Sequence, residues 1–372
     1  MATLTIDLGE RSYPLHIEPG CLDKVGNSLA QTPAGQRYAV VADENVAALY
    51  GQRLMANLAA AGLTAELFSF PHGEASKNLQ TVGALAGRLA TRGIDRHDAL
   101  IALGGGVTGD ITGFLASTYK RGIPFVQVPT SLLAQVDSSV GGKTGVDIPE
   151  GKNLVGTFYQ PAAVFIDISL LSTLPPQELL GGLAEVIKYA IIRDAGFFSY
   201  LAARREEVLS LKADVMTEVV TTCCRIKAEV VALDEREGGL RRILNYGHTI
   251  GHAVEAASEY IINHGFSVSI GMVAAARAAR LAGLLDEQTV ADIYRLLVDY
   301  GLPVEIPEDL DCRRMKSYLL ADKKTVGGRV HFVLPTEIGK TRIVADLDDS
   351  IVDRILCRTE SVDIARGRSQ EG

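Results

Sequence analysis

The amino-acid sequence predicts an α/β domain followed by a mainly helical domain. Apolar, β-branched runs alternate with helical stretches in the first half, and from Pro175 onward nearly every long segment has helical periodicity. A chain of 372 residues, 47% of them hydrophobic, also exceeds the size at which one core usually stops growing. Strands separated by helices of this length pair in parallel, so a layered α/β sheet is predicted first.

The predicted elements follow in chain order. In the first half, strands are expected at 37–43, 64–71, 98–106 and 162–167, and helices near 45–61 and 78–92. In the second half, helices are expected at 176–193, 212–233, 248–258, 267–282 and 287–300. Prolines 175 and 176 suit a linker and the first turn of a new helix. We therefore expect domains at 1–172 and 173–364, with a disordered tail at 365–372.

Composition and charge exclude several classes of protein. The formal net charge of -8 provides no basic field for nucleic-acid phosphates. The N-terminus has no basic segment followed by an apolar one, and no run of about 18 apolar residues occurs, so a cytoplasmic protein with no membrane partner is expected. The five cysteines are scattered, with no C-x-x-C pair, and predict ordinary thiols in a reducing compartment rather than disulfides.

A run of three glycines lies between a predicted strand and a predicted helix, within Ala99–Asp110. Such a turn lets backbone N–H groups approach a pyrophosphate at a helix N-terminus. Asp43 follows a strand, as do Glu74 and Lys77, and an acidic group at a strand end often binds a ribose hydroxyl. These features predict a dinucleotide site, and the alternative is a tight turn with no ligand.

Two charged residues interrupt an otherwise apolar helix in the second half. Between Leu179 and Ile192 the only charges are Glu185 and Lys188, which are three residues apart and share a face. Buried charges need partners or a metal ion. The alternative is a buried ion pair that holds the helix in place.

Three histidines occur within 17 positions of the same half. His248 and His252 are four residues apart and face one side of a helix, and His264 follows. Thr249 breaks the H-E-x-x-H pattern of metalloproteases, so that class is disfavoured. A His/His/Glu set with open positions is typical of a catalytic zinc site.

Polar and cationic residues near glycine turns predict a small ligand with several negative charges. Each lysine alone would be read as a surface charge. The set includes Asp137, Lys143, Lys152, Asn153, Lys227, Arg241, Asn245, Lys323 and Lys324.

Taken together, these motifs resemble the 3-dehydroquinate synthase family. The resemblance rests on the runs GGGVTGD, TSLLAQVDSSVGGKTGVD, GKNLVG, GLAEVIKYA and EREGGLRRILNYGHTIGHAVE followed by HG, which lie between about 40 and 340. It implies a Rossmann-like N-terminal domain with NAD in a cleft, and a helical C-terminal domain for metal and substrate. It also implies a zinc ion, which cobalt can replace, and a homodimer.

The resemblance further implies roles for particular residues. It makes Glu185, His248 and His264 the zinc ligands. It assigns NAD contacts to Asp43, Gly73, Glu74, Lys77, Gly105, Gly106, Val107, Asp110, Thr130, Ser131 and Thr173, with Lys143 and Lys152 shared with the substrate. It assigns substrate contacts or catalysis to Asp137, Lys143, Lys152, Asn153, Lys188, Lys227, Arg241, Asn245, His252 and Lys324 or its neighbour Lys323. Arg121 is expected to reach into the neighbouring subunit's site.

The implied substrate is 3-deoxy-D-arabino-heptulosonate 7-phosphate, and the implied products are 3-dehydroquinate and phosphate. NAD would take a hydride from C5 and return it after phosphate elimination, and an intramolecular aldol step would close the ring. We expect Lys188 and His252 to orient groups and handle protons near the zinc, and Lys143, Lys152, Asn153 and Arg241 to hold anions.

Two rival functions share parts of this pattern. Another sugar-phosphate cyclase, such as a 2-deoxy-scyllo-inosose or valiolone synthase, would share the fold but take a substrate without the carboxylate. A metal-dependent glycerol dehydrogenase would consume NAD stoichiometrically. The chain departs from the family pattern at Phe266, where the family usually has Glu, and the expected effect is loss of a partner of a zinc-binding histidine and weaker metal binding.

Overall fold

The computed structural model describes residues 2–325, 330–345 and 347–357, with the backbone alone at Ala2 and 321–325. The tail expected to be disordered, 365–372, lies outside the described residues. No helix of the described part is long and apolar enough to cross a membrane.

Most strands lie in the first half of the chain, and most of the long helices lie in the second half. The strands are β1 Ala2–Ile6, β2 Tyr13–Ile17, β3 Arg37–Asp43, β4 Thr64–Phe70, β5 Ala99–Gly104, β6 Phe125–Pro129, β7 Lys143–Ile148, β8 Gly151–Phe158, β9 Ala163–Ile166, β10 His331–Glu337 and β11 Lys340–Ala345. The first helices are α1 Val25–Gln31, α2 Glu44–Val46, α3 Gln52–Ala60, α4 Leu79–Thr91, α5 Gly106–Thr118, α6 Pro176–Arg193 and α7 Ala195–Ala203. The others are α8 Arg205–Leu209, α9 Ala213–Leu233, α10 His248–Ala257, α11 His264–Leu281, α12 Glu287–Asp299, α13 Cys312–Thr325 and α14 Asp349–Leu356.

Short helical turns connect several of these elements. The 3₁₀ turns are Gly9–Arg11, Cys21–Lys24, Glu74–Ser76, Tyr119–Arg121, Ile168–Thr173 and Leu240–Asn245, and the π turns are Ala47–Gly51 and Ala134–Ser138.

The chain forms two compact units. The first contains Met1–Gly182 and Ser210–Arg236, and the second contains Leu183–Leu209 and the described residues from Glu237 onward. Helix α9 thus belongs to the first unit although it follows a segment of the second. The domain boundary expected near 172 stays a prediction.

A seven-stranded sheet organises the first unit, with the strand order β1-β2-β9-β6-β5-β3-β4. All neighbours pair in parallel except β1 and β2, which form an antiparallel hairpin at one edge. The order reverses at β3, because β4 lies on one side of it and β5 on the other. In open α/β sheets, ligands bind at such a switch point, outside the carboxyl ends of the strands.

Strands that are buried on both faces explain why the sequence shows continuous apolar runs here. Val40 and Ile101 face one cluster of buried side chains, while Val41 and Leu100 face the other. A parallel sheet covered on both sides produces runs of this kind, without polar alternation.

In the second unit, helices α10 and α11 cross closely at two glycines. A Cβ on Gly251 would lie 2.7 Å from the backbone oxygen of Ser267, and one on Gly271 would lie 1.9 Å from that of Gly247. Only residues without a side chain allow the helices to approach this far. The crossing therefore fixes the histidines of α10 relative to His264 at the start of α11.

The fold class predicted from the sequence is confirmed. The predicted strands and long helices occur within a few residues of their expected bounds, although the helix expected at 267–282 already begins at His264. The β1–β2, β7–β8 and β10–β11 hairpins were not predicted from the sequence.

The expectation that all cysteines are free thiols was wrong for two of them. Cys312 and Cys357 form a disulfide between the start of α13 and the residue after α14, with their Cα atoms 5.3 Å apart. Their separation of 45 residues shows no recognisable spacing, so only the packing of the two helices reveals the pair. Cys21, Cys223 and Cys224 are buried and form no disulfide, as expected for structural thiols.

Candidate active site

The glycine run forms a turn at the carboxyl end of β5. Strand β5 ends at Gly104, Gly105 precedes α5, and α5 begins at Gly106. A Cβ on Gly105 would lie 3.3 Å from Oγ of Ser131, and one on Gly106 would lie 3.3 Å from Oγ of Ser138. The first N–H groups of a helix have no partners within the helix, and this turn gives an anion close access to them. The site therefore fits the pyrophosphate of a dinucleotide.

Asp43 lies on the other side of the switch point, at the carboxyl end of β3. Its Oδ1 caps α2 by accepting hydrogen bonds from the backbone N–H groups of Asn45 and Val46, at 3.0 and 3.1 Å. Its Oδ2 is 3.5 Å from the Thr108 hydroxyl in the first turn of α5. One carboxylate oxygen thus holds the loop, and the other faces the glycine turn, as expected for a ribose contact.

Lys77 is a buried cation between two predicted site residues. Its Nζ is 2.6 Å from Oδ2 of Asp110 and donates a hydrogen bond of 2.6 Å to Oδ1 of Asn153. Burial lowers the pKa of Lys77, but the Asp110 carboxylate outweighs burial and raises that pKa above its ordinary value. Lys77 is therefore charged at neutral pH.

A second buried lysine of this unit contacts Asp137. Lys227 on α9 donates hydrogen bonds to the backbone oxygen and to Oδ1 of Asp137, at 2.6 and 2.7 Å. The π turn Ala134–Ser138 presents this carboxylate to the lysine. The two predicted residues therefore form one ionic pair.

The other predicted residues of the first unit have varied surroundings. Thr130 is buried, and its N–H donates to the oxygen of Gly104. The hydroxyl of Thr173 contacts that of Tyr50. Gly73 has a φ of 104° and precedes the turn that carries Glu74. Arg121, Lys143, Lys152 and Asn153 are exposed.

Glu185 in the second unit has different partners at its two carboxylate oxygens. The residue is fully buried on α6, and Oε2 forms an ion pair with Nζ of Lys188, one turn further along the helix. Oε1 lies 3.4 Å from Nε2 of His248 and 3.6 Å from Nε2 of His264. The ion pair considered from the sequence is therefore present, and it leaves Oε1 directed at two imidazoles.

These separations suit a shared metal ion. Bonds of about 2.0–2.1 Å at tetrahedral angles separate two ligand atoms by about 3.4 Å. Both contacts of Oε1 are close to that value. A set of two neutral imidazoles and one carboxylate is also a normal donor set for zinc. The residues present therefore fit a divalent metal ion.

His252 offers an alternative third imidazole. The rings of His248, His252 and His264 lie with centroids 5.2 to 5.7 Å apart, and their ligand atoms lie within 4.8 Å of one another. The His252 side chain is exposed, whereas Glu185 is fully buried and its Oε1 lies beside both of the other imidazoles. The geometry favours Glu185 over His252 as the third ligand.

His248 and His264 have opposite pKa shifts. Burial lowers the pKa of His248 well below its ordinary value, although Glu185 opposes the shift. Burial also acts to lower the pKa of His264, but hydrogen bonds to Glu185 and Glu255 outweigh it and raise that pKa to about 9. A cation at this position replaces the proton on His264, because only the neutral imidazole coordinates metal.

The segment before α10 carries further predicted residues and one that was not predicted. Arg241 is buried in the turn Leu240–Asn245, and Nδ2 of Asn245 donates a hydrogen bond of 2.7 Å to Oε1 of Glu237. Glu237 lies within one of the family motifs but had no predicted role, because it stands in a loop without periodicity. Lys324 lies at the end of α13, and its side chain is outside the described residues.

Comparisons with known proteins identify the family of the chain. The family model described as 3-dehydroquinate synthase N-terminal matches residues 67–181, and the one described as 3-dehydroquinate synthase C-terminal matches residues 182–325. A 3-dehydroquinate synthase from Desulforamulus reducens is 46% identical over 96% of this chain and 99% of its own length. The one from Symbiobacterium thermophilum is 46% identical over 93% and 98%.

Solved structures of two synthases and a dehydrogenase have the same fold. A 2-deoxy-scyllo-inosose synthase with carbaglucose-6-phosphate, NAD+ and Co2+ is 28% identical and has a TM-score of 0.87 over 95% of this chain and 99% of its own. ValA, a 2-epi-5-epi-valiolone synthase from Streptomyces hygroscopicus with NAD+ and Zn2+ bound, is 30% identical with the same TM-score and coverage. A probable glycerol dehydrogenase from Sinorhizobium meliloti, 17% identical with a TM-score of 0.62 over 92% and 95%, shares the fold. From the two family models and the near-full-length relatives, the chain belongs to the 3-dehydroquinate synthase family.

Proposed function

We propose that this chain converts 3-deoxy-D-arabino-heptulosonate 7-phosphate into 3-dehydroquinate and phosphate, with a zinc ion held by Glu185, His248 and His264. The observation that carries the metal assignment is the position of Oε1 of Glu185, 3.4 and 3.6 Å from the two imidazole nitrogens. When bound, NAD accepts and returns a hydride, and the metal ion polarises hydroxyl groups of the substrate.

Lys188 and His252 handle protons and orientation next to this metal site. Lys188 is nearly inaccessible to solvent, and its ion pair with Oε2 of Glu185 leaves Oε1 to the metal. His252 has an exposed imidazole beside the rings of His248 and His264. An exposed imidazole can exchange protons with substrate and solvent near neutral pH.

Binding of NAD follows from the arrangement at the switch point. The glycine turn before α5 holds the pyrophosphate on backbone N–H groups, and Asp43 binds a ribose hydroxyl. Lys77 and Asp110 complete the polar wall of this site, with Gly73, Glu74, Val107, Thr130, Ser131 and Thr173 as further NAD contacts.

Cationic and amide groups hold the anionic and hydroxyl groups of the substrate. Lys227 and Asp137 act as one pair, because the Asp137 carboxylate balances the charge of a buried lysine. Arg241 provides a planar guanidinium for a carboxylate, and Asn245 is oriented by Glu237. The remaining contacts come from Lys143, Lys152, Asn153 and Lys324.

The assembly and location belong to the same proposal. The protein acts in the cytoplasm as a homodimer, in which Arg121 of one subunit reaches the active site of the other. Support for the arginine is its exposure and its left-handed backbone conformation, with a φ of 71°, at the end of the 3₁₀ turn. The α/β domain ends near residue 172.

Metal content of four variants tests the ligand set. Zinc bound per chain is measured after dialysis for E185Q, H248A, H264A and H252A. We expect the first three to lose zinc and H252A to keep it, because His252 lies outside the ligand set. Full zinc in E185Q together with loss in H252A would replace this set with the three histidines.

A panel of substrates tests the reaction. Phosphate release is measured from the heptulosonate phosphate, sedoheptulose 7-phosphate and glucose 6-phosphate. We expect release from the first substrate alone, because Arg241 and the lysines match a ligand that carries both carboxylate and phosphate. Release from either of the other sugars alone would make the chain a sister cyclase.

A further inference from the structure

A second carboxylate, that of Glu255, contacts His264 without belonging to the proposed ligand set. Oε2 of Glu255 lies 3.4 Å from Nδ1 of His264, and the Glu255 side chain is 10% exposed. The carboxylate that the family usually carries after this histidine is absent here, because position 266 is Phe. The backbone N–H of Phe266 instead donates to the cap residue Asn263.

The position of Glu255 on its helix explains this contact. Glu255 is seven residues beyond His248 on α10, so the two side chains project from nearly the same face, about 10.5 Å apart along the axis. The His264 ring lies against this face, with its centroid 5.2 Å from that of His248. Nδ1 of His264 is thus directed at Glu255, and its Nε2 is directed at Glu185.

The two ligand histidines are held in the same way. Nδ1 of His248 lies 3.1 Å from the backbone oxygen of Tyr246, and Nδ1 of His264 lies near Glu255. An imidazole that donates from Nδ1 presents the lone pair of Nε2 to a metal ion, and the partner oxygen fixes the ring. A carboxylate partner also makes the imidazole a stronger ligand.

The connection between α10 and α11 supports this arrangement. The N–H of Tyr260 donates to the backbone oxygen of Glu255 at 2.9 Å, and the hydroxyl of Ser258 donates to the same oxygen at 2.8 Å. These bonds anchor the loop to the residue that contacts His264. The distance from Glu255 to the start of α11 is therefore fixed by backbone as well as side-chain contacts.

We propose that Glu255 is the positioning residue of the metal site, holding Nδ1 of His264 so that Nε2 is directed at the metal ion. The inference rests on the proposed ligand set and adds a residue with no role predicted from the sequence. Glu255 acts through His264 and does not itself contact metal or substrate.

Metal affinity of Glu255 variants tests the inference directly. The zinc dissociation constant is measured by competition with a chromophoric chelator for the wild type, E255Q, E255D and E255A. We expect about 10- to 100-fold weaker binding in E255A, the usual cost of losing such a partner. E255Q, which keeps an acceptor of the same length, should lose less. The matched control is E259Q. Glu259 lies four residues after Glu255, and its exposed carboxylate pairs with Arg314.

Two further readouts separate positioning from general stability. The absorption spectrum of the cobalt-loaded protein should change in E255A and not in E259Q, because only the former alters the orientation of a ligand. The metal-free variants should unfold within a few degrees of the metal-free wild type. If E255A does not fold, E255Q and E255D supply the comparison.

The outcomes distinguish this inference from the proposed function. Metal affinity within twofold of the wild type in all three Glu255 variants, with an unchanged cobalt spectrum, would overturn the positioning role. If E185Q and H248A bound zinc as tightly as the wild type, the ligand set on which the inference rests would be wrong instead.

Discussion

At the scale of single residues, Glu185 shows how one buried carboxylate serves two purposes. Its charge is balanced by Lys188 at one oxygen, and its other oxygen faces two imidazoles. A buried ion pair alone stabilises little, because desolvation offsets most of the attraction. The metal coordination that we propose for the same carboxylate would explain why such a costly pair is present.

A carboxylate far from the site provides a residue-scale test of pH dependence. Asp98 is buried and accepts hydrogen bonds from the backbone N–H groups of Asp95 and Arg37 and from the Arg37 guanidinium. Burial raises the pKa of Asp98, but these donors outweigh it and hold that pKa below its ordinary value. The group therefore stabilises the fold above the pKa of the unfolded chain, about 3.9, and this contribution is lost as pH falls through the folded value.

We expect Asp98→Asn to lower the free energy of unfolding at pH 7 by about 1 kcal/mol, since solvent around Arg37 screens the ion pair. The measurement is urea unfolding of both proteins at pH 7 and near pH 3. The difference should narrow at the acidic pH, because the wild-type carboxyl is then becoming protonated. A difference that widens instead would contradict the assigned direction of the shift.

Residue spacings in the sequence predicted a few of the side-chain contacts at the candidate site. The three-residue spacing of Glu185 and Lys188 predicted their shared face, and the structure adds that each oxygen of Glu185 has its own partners. The contacts of Glu237 and Glu255 were not predicted, because each depends on how a loop or a helix crossing brings residues of different elements together. Sequence periodicity describes a single element and carries no information on contacts between elements.

At the scale of elements, the crossing of α10 and α11 positions the histidines. We expect Gly271→Ala to destabilise the protein by about 1–3 kcal/mol or more, because its Cβ would overlap the backbone oxygen of Gly247. It should also weaken zinc binding by shifting His248 relative to His264. Thermal unfolding and chelator competition measure the two effects.

The control for this variant is Gly87→Ala on α4, where a Cβ would meet nothing within 4 Å. That change should stabilise the helix by about 0.5–1 kcal/mol and leave zinc affinity unchanged. Equal effects of the two substitutions would show that the glycines of the crossing have no special role.

The disulfide joins α13 to the C-terminal end of α14. We expect reduction, or Cys357→Ser, to lower the free energy of unfolding by about 2–4 kcal/mol, because the bond closes a long loop in the unfolded chain. Thermal unfolding with and without a reducing agent measures this effect. The unreduced, denatured protein should titrate three thiols, from Cys21, Cys223 and Cys224, whereas five thiols would contradict the pairing.

The elements themselves could largely be predicted, because the parallel strands are buried on both faces and the long helices are strongly periodic. The hairpins were missed for a physical reason. Strands β7 and β8 contain several glycines and charged residues, and β8 is partly exposed, so neither forms an apolar run. Their pairing depends on tertiary contacts such as the bridge between Asn78 and Asp147.

At the scale of the whole molecule, the predicted site residues are divided between the two units. The first unit has the glycine turn and the Lys227–Asp137 pair, and the second has Glu185, the three histidines and Arg241. A dehydrogenase consumes one NAD for each substrate molecule that it oxidises. The family reaction instead returns the hydride within each turnover, so NAD acts as a catalyst.

The most direct test of the proposed reaction is the number of phosphates released per NAD from 3-deoxy-D-arabino-heptulosonate 7-phosphate. The purified protein is given trace NAD, with and without a metal chelator, while NADH absorbance is followed. We predict many phosphates per NAD, no lasting NADH, and loss of activity with the chelator that added zinc restores. One NADH formed for each substrate consumed, or full activity without metal, would contradict the proposed reaction.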